Sequence, residues 1–332
     1  MTGPANRASF WRGADGTDRP TGRVDPGTSP AWSNTPDDEH EALTGSERST
    51  QGRAGVRGVS AARLTGQLSD RDAAVLQSLA TVRLATSDHL ERLHFREGSP
   101  ATQGRRCRKV MARLVDQRLV VRLERRIGGV RAGSAGFIYR LAPKARQVLD
   151  LLADVQPSRV HRRPEPSRHL ADHTLASTEI YTRLVEATRT DRLDVIRYEP
   201  EPTCWRTYLG SGGQRIVLRP DGLVVTAAPD GQTEHWWFLE VDLGTEAPVT
   251  IRKKVAAYQT YAITGQEQAA HGVFPRVAFL TTTAHRAAAL TRAVNAVPGG
   301  EQLCAVGLLD EAIALLGPPQ QLNQPHLKGG ES

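Results

Sequence analysis

The spacing of apolar positions changes along this chain, and each change marks a new element. Through residue 67 apolar residues stand singly among Gly, Ser, Thr, Pro and Arg with no periodicity, which predicts a disordered arm. From Ser69 the pattern becomes helical. Val75, Leu76, Leu79 and Val82 form a stripe on a helix running to about Arg83, with Ser69 as its N-cap and Asp70 and Asp72 at its positive end. Leu90 and Leu93 mark a short second helix capped by Thr86 or Ser87. In the third, about Thr102 to Gln117, Cys107, Val110, Met111, Leu114 and Val115 follow i, i+3, i+4, i+7, i+8. Leu119 to Leu123 and Phe137 to Leu141 then read as two strands of a hairpin around a glycine-bearing tip. Pro143 opens a fourth helix through about Ala153.

Pro157, Pro164 and Pro166 punctuate residues 154–168, which predicts a linker between domains. Beyond it the periods alternate. A helix is expected from about Leu170 to Arg189, packed through Ala176, Ile180, Leu184 and Ala187. Strands follow at Asp194 to Glu199, Arg215 to Thr226, with a kink, and His235 to Gly244. A helix from about Val249 to Thr264, a strand Arg276 to Thr282, a helix Ala284 to Val297 and a strand near Ala305 to Leu309 complete the set. After Gly317 the chain turns polar and rich in Pro and Gln, as a frayed tail does. The expected fold class is α+β to α/β. Residues 1–67 are the arm and 68–153 a winged helix-turn-helix, in which the third helix enters the major groove. Residues 154–168 are the linker, 169–316 a mixed sheet covered by helices on both faces, and 317–332 the tail.

Composition narrows the function classes. A chain of 332 residues with 39% hydrophobic content can bury a sizeable core. No apolar run approaches the ~20 residues needed to cross a bilayer, and no signal-peptide pattern opens the chain, so the cytoplasm is expected and a membrane role is not. Cys107, Cys204 and Cys304 are too scattered for a disulfide framework or a structural zinc site. The formal charge of +7 is concentrated: residues 101–146 hold thirteen Lys or Arg against two acids, and the other residues together carry −4. Arg105, Arg106, Arg108, Lys109 and Arg113 lie on the third helix, largely opposite its apolar face, and Arg122, Arg125, Arg126 and Arg131 on the hairpin. A basic helix and a basic hairpin in one module fit double-stranded DNA, against the blander reading of a solvated charged face.

One stretch carries candidate chemistry. Glu240 and Asp242 lie two apart on a strand with Trp236 and Phe238, so all four share a face. With Asp221 on a neighbouring strand, three carboxylates would meet, the donor set a Mg²⁺ ion accepts. Two plainer readings exist. Pro220, Asp221, Gly222 is a good turn sequence, and the acid pair can be neutralised by Arg219, Arg252 or Lys254. His169 and His173, four apart on a helix, read as surface or packing residues, because Leu170 stands where a zinc-protease motif has glutamate.

The order Pro220–Asp221, then Glu240-x-Asp242, then Lys254-x-x-x-Tyr258, downstream of a basic winged helix, resembles the replication-relaxation family of actinobacterial plasmids and mobile elements. More broadly it resembles the restriction-endonuclease-like PD-(D/E)XK core, over roughly residues 68–312. The resemblance implies that Asp221, Glu240, Asp242 and Lys254 form the catalytic set, with Lys253 as second choice for the lysine. It also implies Asp221, Glu240 and a helix acid, Glu179, as Mg²⁺ ligands. One departure stands out: Asp242 occupies the place two after the glutamate where the superfamily has its lysine. The resemblance therefore implies either a DNA-binding protein of replication, relaxation or mobilisation with a degenerate nuclease-like domain, or a Mg²⁺-dependent endonuclease or nickase. A transcription regulator is a third reading, weaker than both and apart from the resemblance. Double-stranded DNA is the expected partner, joined by a second copy of the chain or by replication and mobilisation proteins, at the nucleoid or a plasmid.

Overall fold

The computed structural model describes residues 61–123, 137–155 and 167–318, apart from residues 230 and 232 and the side chains of residues 168 and 169. The arm to residue 60, the hairpin tip with Arg125, Arg126 and Arg131, most of the linker, the His169 side chain and the tail lie outside them. The described residues belong to one compact unit.

The first helices form where local capping chemistry starts them. In α1 (Asp70–Val82), Ser69 Oγ accepts from the Asp72 amide at 3.2 Å while the Asp72 carboxylate accepts from the Ser69 amide at 2.9 Å, a closed capping box. Thr86 caps α2 (Ser87–His94), and Ser99 with Pro100 at the first turn starts α3 (Pro100–Asp116). The buried residues Val75, Leu76, Leu79 and Val82 of α1, Leu90 and Leu93 of α2, and Cys107, Met111 and Leu114 of α3 make one core. Strands β2 (Val120–Leu123) and β3 (Ile138–Leu141) pair antiparallel as expected. A third strand, β1 (Ala85–Thr86), joins β3 on its other side, giving the order β1-β3-β2. Two residues are too few to show a period in the sequence. Helix α4 (Pro143–Leu152) packs back on α1.

Helix α5 (Arg168–Arg189) connects this module to the sheet that follows. Ile180, Leu184 and Ala187 are buried on it, and Thr178 Oγ1 donates to the Leu84 carbonyl at 2.7 Å. Arg189 donates to the carbonyls of Arg92 and Leu93 in the last turn of α2, which have no partner further along the helix.

The sheet has five strands in the order β10-β9-β8-β7-β4. They are β4 (Asp194–Pro200), β7 (Gly222–Ala227), β8 (Glu234–Asp242), β9 (Arg276–Thr281) and β10 (Cys304–Leu308). The β4, β7 and β8 pairings are antiparallel, while β8, β9 and β10 run parallel. On one face Phe238, Leu223, Val225 and Phe279 meet α6 (Pro248–Ile263) and α8 (Ala284–Asn295) through Val255, Tyr258, Leu290 and Val294. Helix α5 lies against β4 and β8, and the terminal α10 (Ala312–Leu316) packs on α5 and β10. Two short helices, α7 (Gln266–His271) and α9 (Gly300–Leu303), fill connections.

The single kinked strand expected from Arg215 to Thr226 is two strands in different sheets. Strand β6 (Arg215–Leu218) pairs with β5 (Arg206–Leu209) as a separate hairpin, and the chain breaks at residues 219–221 before β7. Pro220 has no amide to give a ladder, so a break there leaves no donor unmatched. Among the described residues no helix is long and apolar enough to cross a membrane.

Candidate functional site

The centre grows from the register of β7 and β8. Gly222 pairs with Leu239, and one step earlier Asp221 donates its amide to the Leu239 carbonyl at 2.9 Å, which sets Asp221 beside Glu240. The approach is close: a Cβ on Gly222 would lie 3.2 Å from Leu239 Cδ1 and 3.4 Å from the Glu199 carbonyl oxygen. A side chain here would make Leu239 give way by a few tenths of an ångström.

Each carboxylate then finds its own donors. Asp221 Oδ2 accepts from the Val241 amide at 2.7 Å, and Asp221 Oδ1 lies 2.9 Å from His173 Nε2 on α5. Glu240 Oε1 accepts from the Tyr258 hydroxyl at 2.6 Å and Oε2 from Lys254 Nζ at 2.7 Å. Lys254 also reaches Glu246 Oε1 at 2.8 Å. Four residues separate Lys254 from Tyr258, one helical turn, so both point from α6 at the same strand residue. Asp242, on the same face as Glu240, is turned to α8, where Arg286 holds it with Nε at 3.0 Å and Nη2 at 2.6 Å. This is the two-pronged geometry that guanidinium gives a carboxylate.

Electrostatics follow burial. Glu240 is 3% exposed, and its carboxyl is pushed up to about 7, by burial first and then by the neighbouring Asp221 charge, against the pull of Lys254 and Tyr258. Burial alone would lower Lys254, but Glu240 and Glu246 together hold its ammonium above the ordinary lysine range. The hydrogen bond to Asp221 raises His173 above an ordinary histidine, with burial opposing it.

Of the expected site residues, Asp221, Glu240 and Lys254 come together. Asp242 lies beside them but is bound by Arg286. Glu179 faces the other way: its carboxylate meets Arg92 Nη1 at 2.7 Å and His89 Nε2 at 3.1 Å on α2, and Arg183 Nε at 2.6 Å. Burial would raise the Glu179 carboxyl, yet the bonds from His89 and Arg92 bring it down to about 2. Among the described residues no three acids, histidines or cysteines form a metal-holding group. Asp221 and Glu240 are adjacent, but both oxygens of each already meet protein donors. Lys253 and Arg252 are exposed on α6 and make no ion pair among the described residues.

On the N-terminal module Arg105, Arg106, Arg108 and Lys109 are exposed along α3. Arg113 is half-buried and bonds Asp72 Oδ1 at 2.6 Å, so it serves the module's own packing. Arg106 lies 3.5 Å from Glu97, and the Arg122 guanidinium sits over the Phe137 ring at 4.4 Å.

Glu246 and Arg286 were missed by sequence reasoning, and His173 was read there as a surface or packing residue, whereas it meets Asp221. Nothing in the local pattern sets Glu246 and Arg286 apart: each is an ordinary polar residue on a loop or helix that packing brings to the centre. Tyr258 stands in the quoted motif, and its role as donor to Glu240 emerges only from the fold.

No curated protein and no solved structure matches the chain. The family model described as replication-relaxation matches residues 76–277, more than half of it. The chain therefore belongs to the replication-relaxation family, and that membership carries a role in the replication or relaxation of mobile elements.

Proposed function

We propose that this protein binds double-stranded DNA during replication, relaxation or mobilisation of a plasmid or mobile element, and that its nuclease-like sheet holds DNA without cutting it. The first part is supported by α3. Its buried side carries Cys107, Met111 and Leu114, and four basic side chains stand exposed along the rest. Such a helix, followed by an antiparallel hairpin, has the element order of a winged helix that reads the major groove. The observation that carries the second part is the state of the acids. Asp221, Glu240 and Asp242 each have protein donors at both oxygens: His173, Lys254 and Arg286 stand against their charges, and Tyr258 and the Val241 amide add hydrogen bonds. A buried carboxylate cluster satisfied in this way is stable as it stands.

The convergence of Asp221, Glu240 and Lys254 favours a second reading, a Mg²⁺-dependent nickase targeted by the same helix. Asp221 and Glu240 would hold the ion, which supplies a bound water of lowered pKa. Lys254 would steady charge on the phosphoryl oxygens.

Fluorescence anisotropy on duplex DNA over a range of salt, with a supercoiled-plasmid assay in Mg²⁺, tests both. The proposal expects duplex binding whose salt slope falls by about one for each α3 basic residue that contacts phosphate and is replaced by alanine, and no nicking. Nicking abolished by Asp221→Ala and Glu240→Ala would replace it with the second reading. A parent protein that ignores duplex DNA would end both.

A further inference from the structure

We infer that Trp205 and Arg219 form a stacking platform for an unpaired DNA base at the mouth of the Asp221 centre. This deepens the DNA-binding reading above and rests on it. Trp205 is 36% exposed, a large indole at the surface, and the Arg219 guanidinium lies over its ring at 5.0 Å. Arg219 is exposed and makes no ion pair among the described residues, so its charge is available to a phosphate.

The location gives the pair its meaning. Arg219 precedes Asp221 by two residues, on the break between β6 and β7. Trp205 ends the turn after β4, where its amide donates to the Pro202 carbonyl at 3.1 Å. The preceding residue, Cys204, is fully buried and its thiol donates to the Pro220 carbonyl at 3.1 Å. That bond ties the turn carrying Trp205 to the residue adjoining Asp221, so platform and centre form one piece of backbone. The same turn supplies Glu201 to a small surface pocket whose lining includes Arg83, Thr178, Tyr198 and Asp221. Arg252 and Lys253 are exposed on the helix that presents Lys254.

The chemistry selects the ligand. An indole with a guanidinium on it binds flat π-faces by stacking and cation–π attraction, and the free cation pairs with a phosphate. In duplex DNA each base face is already covered by its neighbours. Only an unpaired or splayed base offers its face, so the platform discriminates single strands from duplex. The α3 helix holds the duplex while Trp205 and Arg219 take the loosened strand beside Asp221.

The test is fluorescence anisotropy in a metal chelator, with a labelled oligothymidylate and a labelled duplex of equal length, on the full chain. The parent is expected to bind both. Trp205→Ala should weaken single-strand binding about 5- to 150-fold and leave duplex binding within about twofold, while Trp205→Phe keeps most of the affinity. Arg219→Gln, at an exposed site with no ion pair among the described residues, should weaken the single strand and reduce its salt slope by about 0.7. Quenching of Trp205 fluorescence by the oligothymidylate, absent in Trp205→Phe, supplies an independent readout. Unchanged single-strand binding by both Trp205→Ala and Arg219→Gln overturns the platform, as does a parent that binds duplex and not the single strand. In either of those cases the DNA-binding reading stands. A parent that binds neither oligonucleotide removes that reading and the platform with it.

Discussion

The Tyr258 hydroxyl donates to Glu240 Oε1 at 2.6 Å with both side chains buried, one on the helix and the other on the strand it covers. This bond and the one from Lys254 let a carboxyl group sit inside a core made of Phe238, Val255 and Phe279.

Tyr258→Phe keeps the ring and deletes the donor. Glu240 Oε1 then stays buried with no partner, and the expected cost is about 1–3 kcal/mol in urea unfolding. A variant as stable as the parent would mean that solvent reaches Glu240.

Glu240 also predicts a pH dependence. Its carboxyl has an ordinary value of 4.5 and is raised to about 7 in the folded chain. Between those values the folded protein holds a proton that the unfolded chain has released, so stability falls as pH rises through the window. His173, raised by Asp221, acts in the same direction: its contribution is fully present below the ordinary histidine value of 6.5 and is lost as pH rises through the higher folded value. Urea midpoints measured across this range should decline, and Glu240→Gln should flatten the decline between about pH 4.5 and 7.

Glu179 predicts the opposite limb. Its folded carboxyl is lowered to about 2 from 4.5, so the stability it supplies is present above 4.5 and is lost as pH falls toward 2. Arg92 grips Glu179 and Glu186 across the contact between α2 and α5. Arg92→Ala should cost about 2 kcal/mol near neutral pH, discounted for the partial exposure of all three side chains. The same variant should show a shallower loss of stability in acid.

Arg286→Ala leaves Asp242, 3% exposed, without its guanidinium. An uncompensated buried carboxylate costs about 3–5 kcal/mol, which chemical denaturation resolves easily. Arg286→Lys should recover only part, because a single ammonium cannot reproduce the two-pronged bond.

What the residue pattern determined by itself was local. Capping at Ser69, the i, i+3, i+4 stripe of α3 and the alternation at Trp236, Phe238, Glu240 and Asp242 are set by neighbours a few residues apart, and these elements stand where the pattern put them. Their backbone chemistry needs no distant partner. The adjacency of Asp221 and Glu240 was legible for the same reason, since a single strand pairing produces it.

Only the tertiary structure decided who compensates whom. Glu240 and Asp242 share a face, yet the first is served by α6 and the second by α8, a split that depends on where two helices cross the sheet. Glu179 turns to α2 because the N-terminal module packs there with Arg92 and His89. The strand expected from Arg215 to Thr226 divides in two because β5 draws the first half into its own hairpin. Ion pairs act through space and carry no period, so side chains such as Arg286, 44 residues from Asp242, become readable only once the chain has folded.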